Sequence, residues 1–349
     1  MAGGDGAQGR IAVLGTGSWG TTLAILAARY GLETCLLART ENEAARLASD
    51  GENRRFLAGY PFPEGLTPTA DYTRALDACD LLMMVVPSQT MRSNIRALKP
   101  FLSESTVVVS ATKGLELSTS MRMTQVIRQE LGEEWPGRLA AMSGPNLSRE
   151  IVANRPATTV VASEDIVAAQ RVQELFNQGL FRVYTNPDLT GVELAGSLKN
   201  IIAVAAGMAD GLEAGDSAKA ALITRGLAEI ARLGVSAGAS HFTFAGLAGL
   251  GDLIATCASP FSRNRTFGQE LARGKTLEDV RASLGGQVAE GITTTAAARD
   301  LAATYNVEMP ITQQLYEILF EGKPPLEGLN ALLSREPTDE FLSLGVPGA

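Results

Sequence analysis

The strand-patterned run Ile11-Ala12-Val13-Leu14 leads directly into Gly15-Thr16-Gly17-Ser18-Trp19-Gly20, and a helix-patterned run follows from Thr21 to Tyr30. Strand, GxGxxG and helix in immediate succession restrict the fold more than anything else in the chain, because each glycine answers a separate steric demand. Gly15 makes the tight turn, Gly17 lets a pyrophosphate approach the backbone, and Gly20 lets the helix pack closely. Phosphates placed there meet free N–H groups and the positive end of the helix dipole. A plain glycine-rich turn is the alternative. The bracketing by strand and helix favours dinucleotide binding.

From Arg10 to about Asn186 the segments IAVLG, TCLLA, LLMMVV, TVVVSA, LAAMSG, TTVVA and FRVYT read as strands that alternate with helical stretches. Continuous apolar strands separated by helices imply a parallel sheet covered on both faces. Beyond Pro187 the pattern changes to long Ala- and Leu-rich helical runs such as GVELAGSLKNIIAVAAGMADGL and SAKAALITRGLAEIARLGV. The expected architecture is α/β, an N-terminal Rossmann-like doubly wound sheet followed by an all-helical C-terminal domain. The dinucleotide-binding domain is placed at residues 10–186, the helical domain at 187–335 and a flexible tail at 336–349. The opening MAGGDGAQGR lacks the apolar stretch of a secretory signal and reads as a flexible leader.

With 349 residues and 45% apolar positions the chain can fill one large or two ordinary cores. Its net charge of -8 offers no global attraction for nucleic acid, so an anionic ligand must meet a local basic pocket. The three cysteines, Cys35, Cys79 and Cys257, form no CxxC pair, and His241 is the single histidine, so no metal site is expected. Apolar runs such as Leu81–Val86 and Ile201–Ala209 fall short of the roughly 20 residues a membrane span needs. Reducing cytoplasm is the expected compartment.

Several polar residues stand out against this background. Arg39 follows the second strand where an acid would bind a ribose 2′-hydroxyl, and a guanidinium there suits a 2′-phosphate, tilting the choice toward NADPH. A solvated arginine is the alternative, and Glu41 nearby could still serve a ribose. Trp19 either shields the pyrophosphate or packs on a neighbouring loop. Pro87-Ser88, Lys113-Gly114 and Gly144-Pro145-Asn146 each follow a strand, at the rim where doubly wound sheets bind ligands. Lys113 could attract a phosphorylated substrate. Lys199 lies beside Asn200 in an apolar helix, where desolvation can bring an ammonium into the range for proton transfer. Asp252 either caps a helix or orients such an ammonium. Ser262-Arg263-Asn264-Arg265 offers donors suited to phosphate oxygens, with an exposed basic turn as the alternative.

Together GTGSWGT, VVPS, ATKGLE, SGPN, ELAGSLKNIIAVAAGMADG, AGLGDL, SRNR, VAEG and EMPI closely resemble the NAD(P)-dependent glycerol-3-phosphate dehydrogenase family, in order from Ile11 to about Gly322. The resemblance implies interconversion of dihydroxyacetone phosphate and sn-glycerol 3-phosphate for glycerophospholipid synthesis, with the helical half as substrate and dimerisation domain of a homodimer. It implies NAD or NADP as cofactor. Lys199 resembles the family's proton donor and acceptor, with Lys113 beside substrate and nicotinamide. Gly144, Asn146, Asp252, Ser262, Arg263 and Asn264 match positions around glycerol phosphate. Ser18, Trp19, Arg39, Lys113, Ser148, Arg263, Val288 and Glu290 match positions near the cofactor, beside the loop glycines Gly15, Gly17 and Gly20. Asn146 stands where a hydroxyl residue is common in the family, and Ser148 where a small apolar one is usual.

Two other readings share parts of the pattern. The 3-hydroxyacid dehydrogenases also combine an α/β half with a helical lysine, but their asparagine lies four residues further on, where this chain has Ala203 and carries Asn200 instead. A non-catalytic NAD(P)H sensor needs only the glycine loop, and neither the two lysines nor the SRNR donors.

Overall fold

The computed structural model describes residues 9–133, 135, 138–283 and 289–337. The chain divides into two compact units, the first running to Thr112 and resuming at Met123–Leu189, the second made of Lys113–Arg122 and the chain from Thr190 onward.

The first unit is built on an eight-stranded sheet: β1 (Arg10–Leu14), β2 (Glu33–Leu37), β3 (Leu66–Thr69), β4 (Leu81–Met84), β5 (Val107–Ser110), β6 (Leu139–Ser143), β7 (Ala157–Ala162) and β8 (Phe181–Asn186). Their spatial order is β3-β2-β1-β4-β5-β6-β7-β8, and all neighbours run parallel except β6 and β7. Chain order reverses its direction across the sheet between β1 and β4, the switch point at which such sheets bind ligands. Val13 lies in register with Leu36 on one side and Met83 on the other. These strands are apolar on both faces, and Ile11, Val13, Leu36, Leu81, Met83 and Val109 are buried in one core with Leu23, Ile25 and Val172 from the covering helices. All seven strands expected from sequence are present; β3, Leu-Thr-Pro-Thr, is the addition. Pro68 breaks the sequence signal and is tolerated because β3 is an edge strand, where a missing N–H need not face a partner.

The second unit is helical around Leu189–Gly211, in which Val192, Leu198, Ile201, Ile202 and Val204 are buried. Gly207 faces the backbone of Arg265, and Gly268 faces that of Val204, so helix Arg263–Ala272 lies almost backbone to backbone on the central helix. Glu229, buried in helix Asp216–Ser236, accepts from the N–H groups of Ile311 and Thr312 and from the Thr312 hydroxyl. It therefore serves helix Pro310–Phe320 as an N-cap supplied from another element.

Among the described residues, two stretches are by length and composition alone long and apolar enough to span a membrane, more than the short runs in the sequence suggested. The first, Leu189–Gly211, is 94% buried over its apolar window and is the core helix just described. The second, His241–Ala258, is 44% buried and is broken at Gly246, where the backbone turns extended between helix His241–Ala245 and the π-helical turn Leu247–Gly251. Among the described residues no group of His, Cys, Asp and Glu side chains could hold a metal ion.

Candidate active site

Two polar constellations stand out, one in each unit. In the helical unit the ammonium of Lys199 donates to Asp252 Oδ1 at 2.9 Å and to Thr256 Oγ1 at 2.5 Å. The Thr256 hydroxyl in turn donates to Asp252 Oδ1 at 3.2 Å, and Lys113 Nζ reaches Asp252 Oδ2 at 2.6 Å. Lys199, Asp252 and Thr256 are all buried, while Lys113 is the partly open member. One carboxylate thus holds two ammonium groups.

Local structure explains how these groups meet. The π-helical turn Leu247–Gly251 runs into helix Asp252–Ala258, so Asp252 stands at the helix start and Thr256 one turn later on the same face. Asp252 makes no cap here; its carboxylate faces the lysines. Lys113 arrives on the Lys113–Arg122 segment, which is pinned to the central helix by the Arg122–Glu193 ion pair and by the Ser197 hydroxyl donating to the Gly114 carbonyl. Burial is the main force lowering the Lys199 pKa, to about 8; the Lys113 charge adds to it, and Asp252 opposes both.

The four residues of SRNR divide in their roles. Ser262 Oγ accepts from the Arg265 N–H as N-cap of helix Arg263–Ala272. Arg265 donates to Asp210 Oδ2 at 2.6 Å, on a carboxylate that also holds Lys219. Asn264 donates to Asn200 Oδ1 at 2.9 Å and accepts from the Gly291 N–H at 3.0 Å, tying Lys199's neighbour to the start of helix Glu290–Tyr305. Arg263, unlike Arg265, has a guanidinium with no hydrogen bond or ion pair to the described residues. It is solvent-accessible, yet enough protein surrounds it for desolvation to pull its pKa down, with Glu290 opposing.

In the first unit Gly15 has φ +123°, and a Cβ there would lie 2.2 Å from the Val85 carbonyl oxygen. A Cβ on Gly20 would lie 2.0 Å from the carbonyl of Gly15, whereas Gly17 opens on clear space. Helix Ser18–Arg29 starts from Gly17 with no side-chain cap and no acidic residue in its first turn. The positive helix end is left for a ligand anion, and the loop fits a dinucleotide pyrophosphate. Ser18 donates to the Phe56 carbonyl, and Trp19 packs partly buried against the core. Arg39 is exposed just beyond β2.

At the end of β6, Gly144 has φ +144° and faces β7 at Thr159. Asn146 is held at both ends of its amide, donating to the Thr158 carbonyl and accepting from the Thr159 hydroxyl. Ser148 begins the short helix Ser148–Val152. Val288 lies outside the described residues. His241 is exposed. Thr256 is the one member of the lysine cluster that the sequence did not single out; its spacing from Asp252 was the available signal.

Known proteins bear on both units. The model for the NAD-dependent glycerol-3-phosphate dehydrogenase N-terminus matches residues 10–169, and that for the C-terminus residues 188–330. The chain is 50% identical over 333 residues to glycerol-3-phosphate dehydrogenase (NAD(P)+) of Moorella thermoacetica, covering 95% of this chain and 98% of the relative. It is 46% identical over 331 residues to the Streptomyces avermitilis protein of the same name, at 95% and 98% coverage. Among solved structures, glycerol-3-phosphate dehydrogenase from Coxiella burnetii superposes with a TM-score of 0.90 at 39% identity, over 94% of this chain and 99% of that one. By sequence, by fold and over both units, the chain belongs to the NAD-dependent glycerol-3-phosphate dehydrogenase family, a family of oxidoreductases.

Proposed function

We propose that this chain reduces dihydroxyacetone phosphate to sn-glycerol 3-phosphate in the cytoplasm, as a homodimer, supplying glycerophospholipid synthesis. The observation that carries the reading is the Lys199–Asp252–Lys113 cluster, in which one carboxylate holds two ammonium groups and burial lowers the Lys199 pKa to about 8. Residues 10–186 form the dinucleotide domain in this reading and 187–335 the substrate domain. Gly15, Gly17, Ser18, Trp19, Gly20, Arg39, Ser148 and Glu290 hold NAD or NADP. When bound, the reduced cofactor supplies the hydride for the substrate carbonyl.

Lys199 delivers the proton to the developing alkoxide, and Lys113 stabilises its negative charge. Asp252 and Thr256 fix the Lys199 ammonium, while Gly144, Asn146, Ser262 and Asn264 shape the substrate pocket. Arg263 binds the phosphate, so that binding energy remote from the reacting carbonyl orients it. The test follows NADPH and NADH absorbance with dihydroxyacetone phosphate, and NAD reduction with 3-hydroxyisobutyrate. Turnover only with the hydroxyacid would establish the rival enzyme class, and none with any substrate would leave the sensor reading.

Arg263 has a sharper signature than its neighbours because its guanidinium is uncommitted. Arg263→Ala is expected to lower kcat/KM for dihydroxyacetone phosphate by about 10- to 100-fold, the worth of a charged hydrogen bond, and to spare the feeble activity on dihydroxyacetone. Equal loss on both substrates would assign it a structural or cofactor role. Arg39 favours NADPH in this reading. Arg39→Asp is expected to move the ratio of NADPH to NADH kcat/KM by about 10- to 100-fold toward NADH, since a carboxylate repels the 2′-phosphate. An unchanged ratio returns Arg39 to the solvated surface.

A further inference from the structure

The end of β2 carries Arg39 in place of an acid, yet a carboxylate stands beside it. Glu43, half-buried in helix Glu41–Asp50, accepts from the Arg39 N–H through Oε2 at 3.2 Å and from the Thr16 hydroxyl through Oε1 at 2.7 Å. It therefore spans the second residue of the glycine loop and the residue position from which a ribose-binding acid ordinarily projects.

Helix capping alone does not explain this placement. Thr40-x-x-Glu43 has the sequence of a capping box, and half of the box is formed: Thr40 Oγ1 accepts from the Glu43 N–H. In such a box the glutamate would return to the N–H of Thr40. Here it reaches one residue further upstream, to Arg39, and across to the loop. Two donors reach it there, and a carboxylate has about four acceptor sites, so acceptor capacity remains for hydroxyl groups.

Building on the dinucleotide reading of this loop, we propose that Glu43 is the acceptor for the adenosine ribose hydroxyls, and that it shares the cofactor's 2′ position with Arg39. The two side chains then act in opposite senses. Glu43 accepts a hydrogen bond from the 2′-hydroxyl of NADH and repels the 2′-phosphate of NADPH, whereas the exposed Arg39 guanidinium attracts that phosphate. A site carrying both admits either cofactor, and each charge sets the affinity for one of them.

The test is fluorescence titration of the full-length protein with NADH and with NADPH, without substrate. Glu43→Gln keeps the side-chain shape and removes the charge, and is expected to raise the NADH Kd about tenfold while the NADPH Kd is unchanged or falls. Thr16→Val cuts the tie to the loop but leaves the carboxylate, and is expected to preserve the ratio of the two constants. If Glu43→Gln weakens both cofactors by one factor, or changes neither, Glu43 serves the loop alone and the proposal is overturned. A wild-type protein that binds neither cofactor overturns the dinucleotide reading itself, and the role of Glu43 with it.

Discussion

Lys199→Met is expected to lower turnover of dihydroxyacetone phosphate by about 10²–10⁴-fold, the usual worth of a general acid. Cofactor Kd should stay nearly constant, because the glycine loop belongs to the other unit. The fold should survive as well: Asp252 keeps Lys113 as its ion-pair partner, and methionine fills most of the lysine stem's volume. The pH dependence gives a second check. Reduction needs the ammonium form, so wild-type turnover in that direction falls as pH rises through about 8. Oxidation needs the neutral amine and rises over the same range. Both limbs should vanish in the variant, and near-normal turnover in a folded protein would falsify the assignment.

The sequence showed what depends on local pattern. Continuous apolar runs marked central strands such as β1, β4 and β5, because a parallel sheet buried on both faces demands them, whereas the edge strand β8 alternates, with Arg182 and Tyr184 exposed. It hid β3, where Pro68 interrupts the run, and the reversal between β6 and β7, since strand direction leaves no mark on composition. Lys199 was visible because a charged residue interrupts an apolar helix. Its partners were harder to read: Asp252 and Thr256 lie 53 and 57 residues away, and only the tertiary fold brings them together. Ser262, Asn264 and Arg265 looked alike as phosphate donors in a short basic string, yet the structure gives them a cap, a bridge to Gly291 and an ion pair with Asp210. Glu43 carried a legible capping signal, and its reach across to Thr16 could not follow from spacing alone.

Asp252 should prove more costly to change than either lysine, because its carboxylate pairs with both ammonium groups at once. Replacing it with asparagine leaves the Lys199 ammonium buried without its counter-charge, and breaking a buried pair from one side typically costs about 3–5 kcal/mol. A lysine that loses its carboxylate and keeps a second ammonium nearby releases its proton more easily, so the Lys199 pKa must fall. Asp252→Asn is therefore expected to lower Tm, to cut reductive turnover at neutral pH at least about 10²-fold, and to shift the pH at which turnover falls to a lower value. A double variant separates the two effects. Lys199→Met combined with Asp252→Asn removes both buried charges and should recover part of the lost Tm while remaining inactive, because the destabilising ammonium is gone. If the double variant is instead less stable than Asp252→Asn alone, the carboxylate serves the fold through Lys113 and Thr256, and its hold on the Lys199 proton is not what the buried cluster is built for.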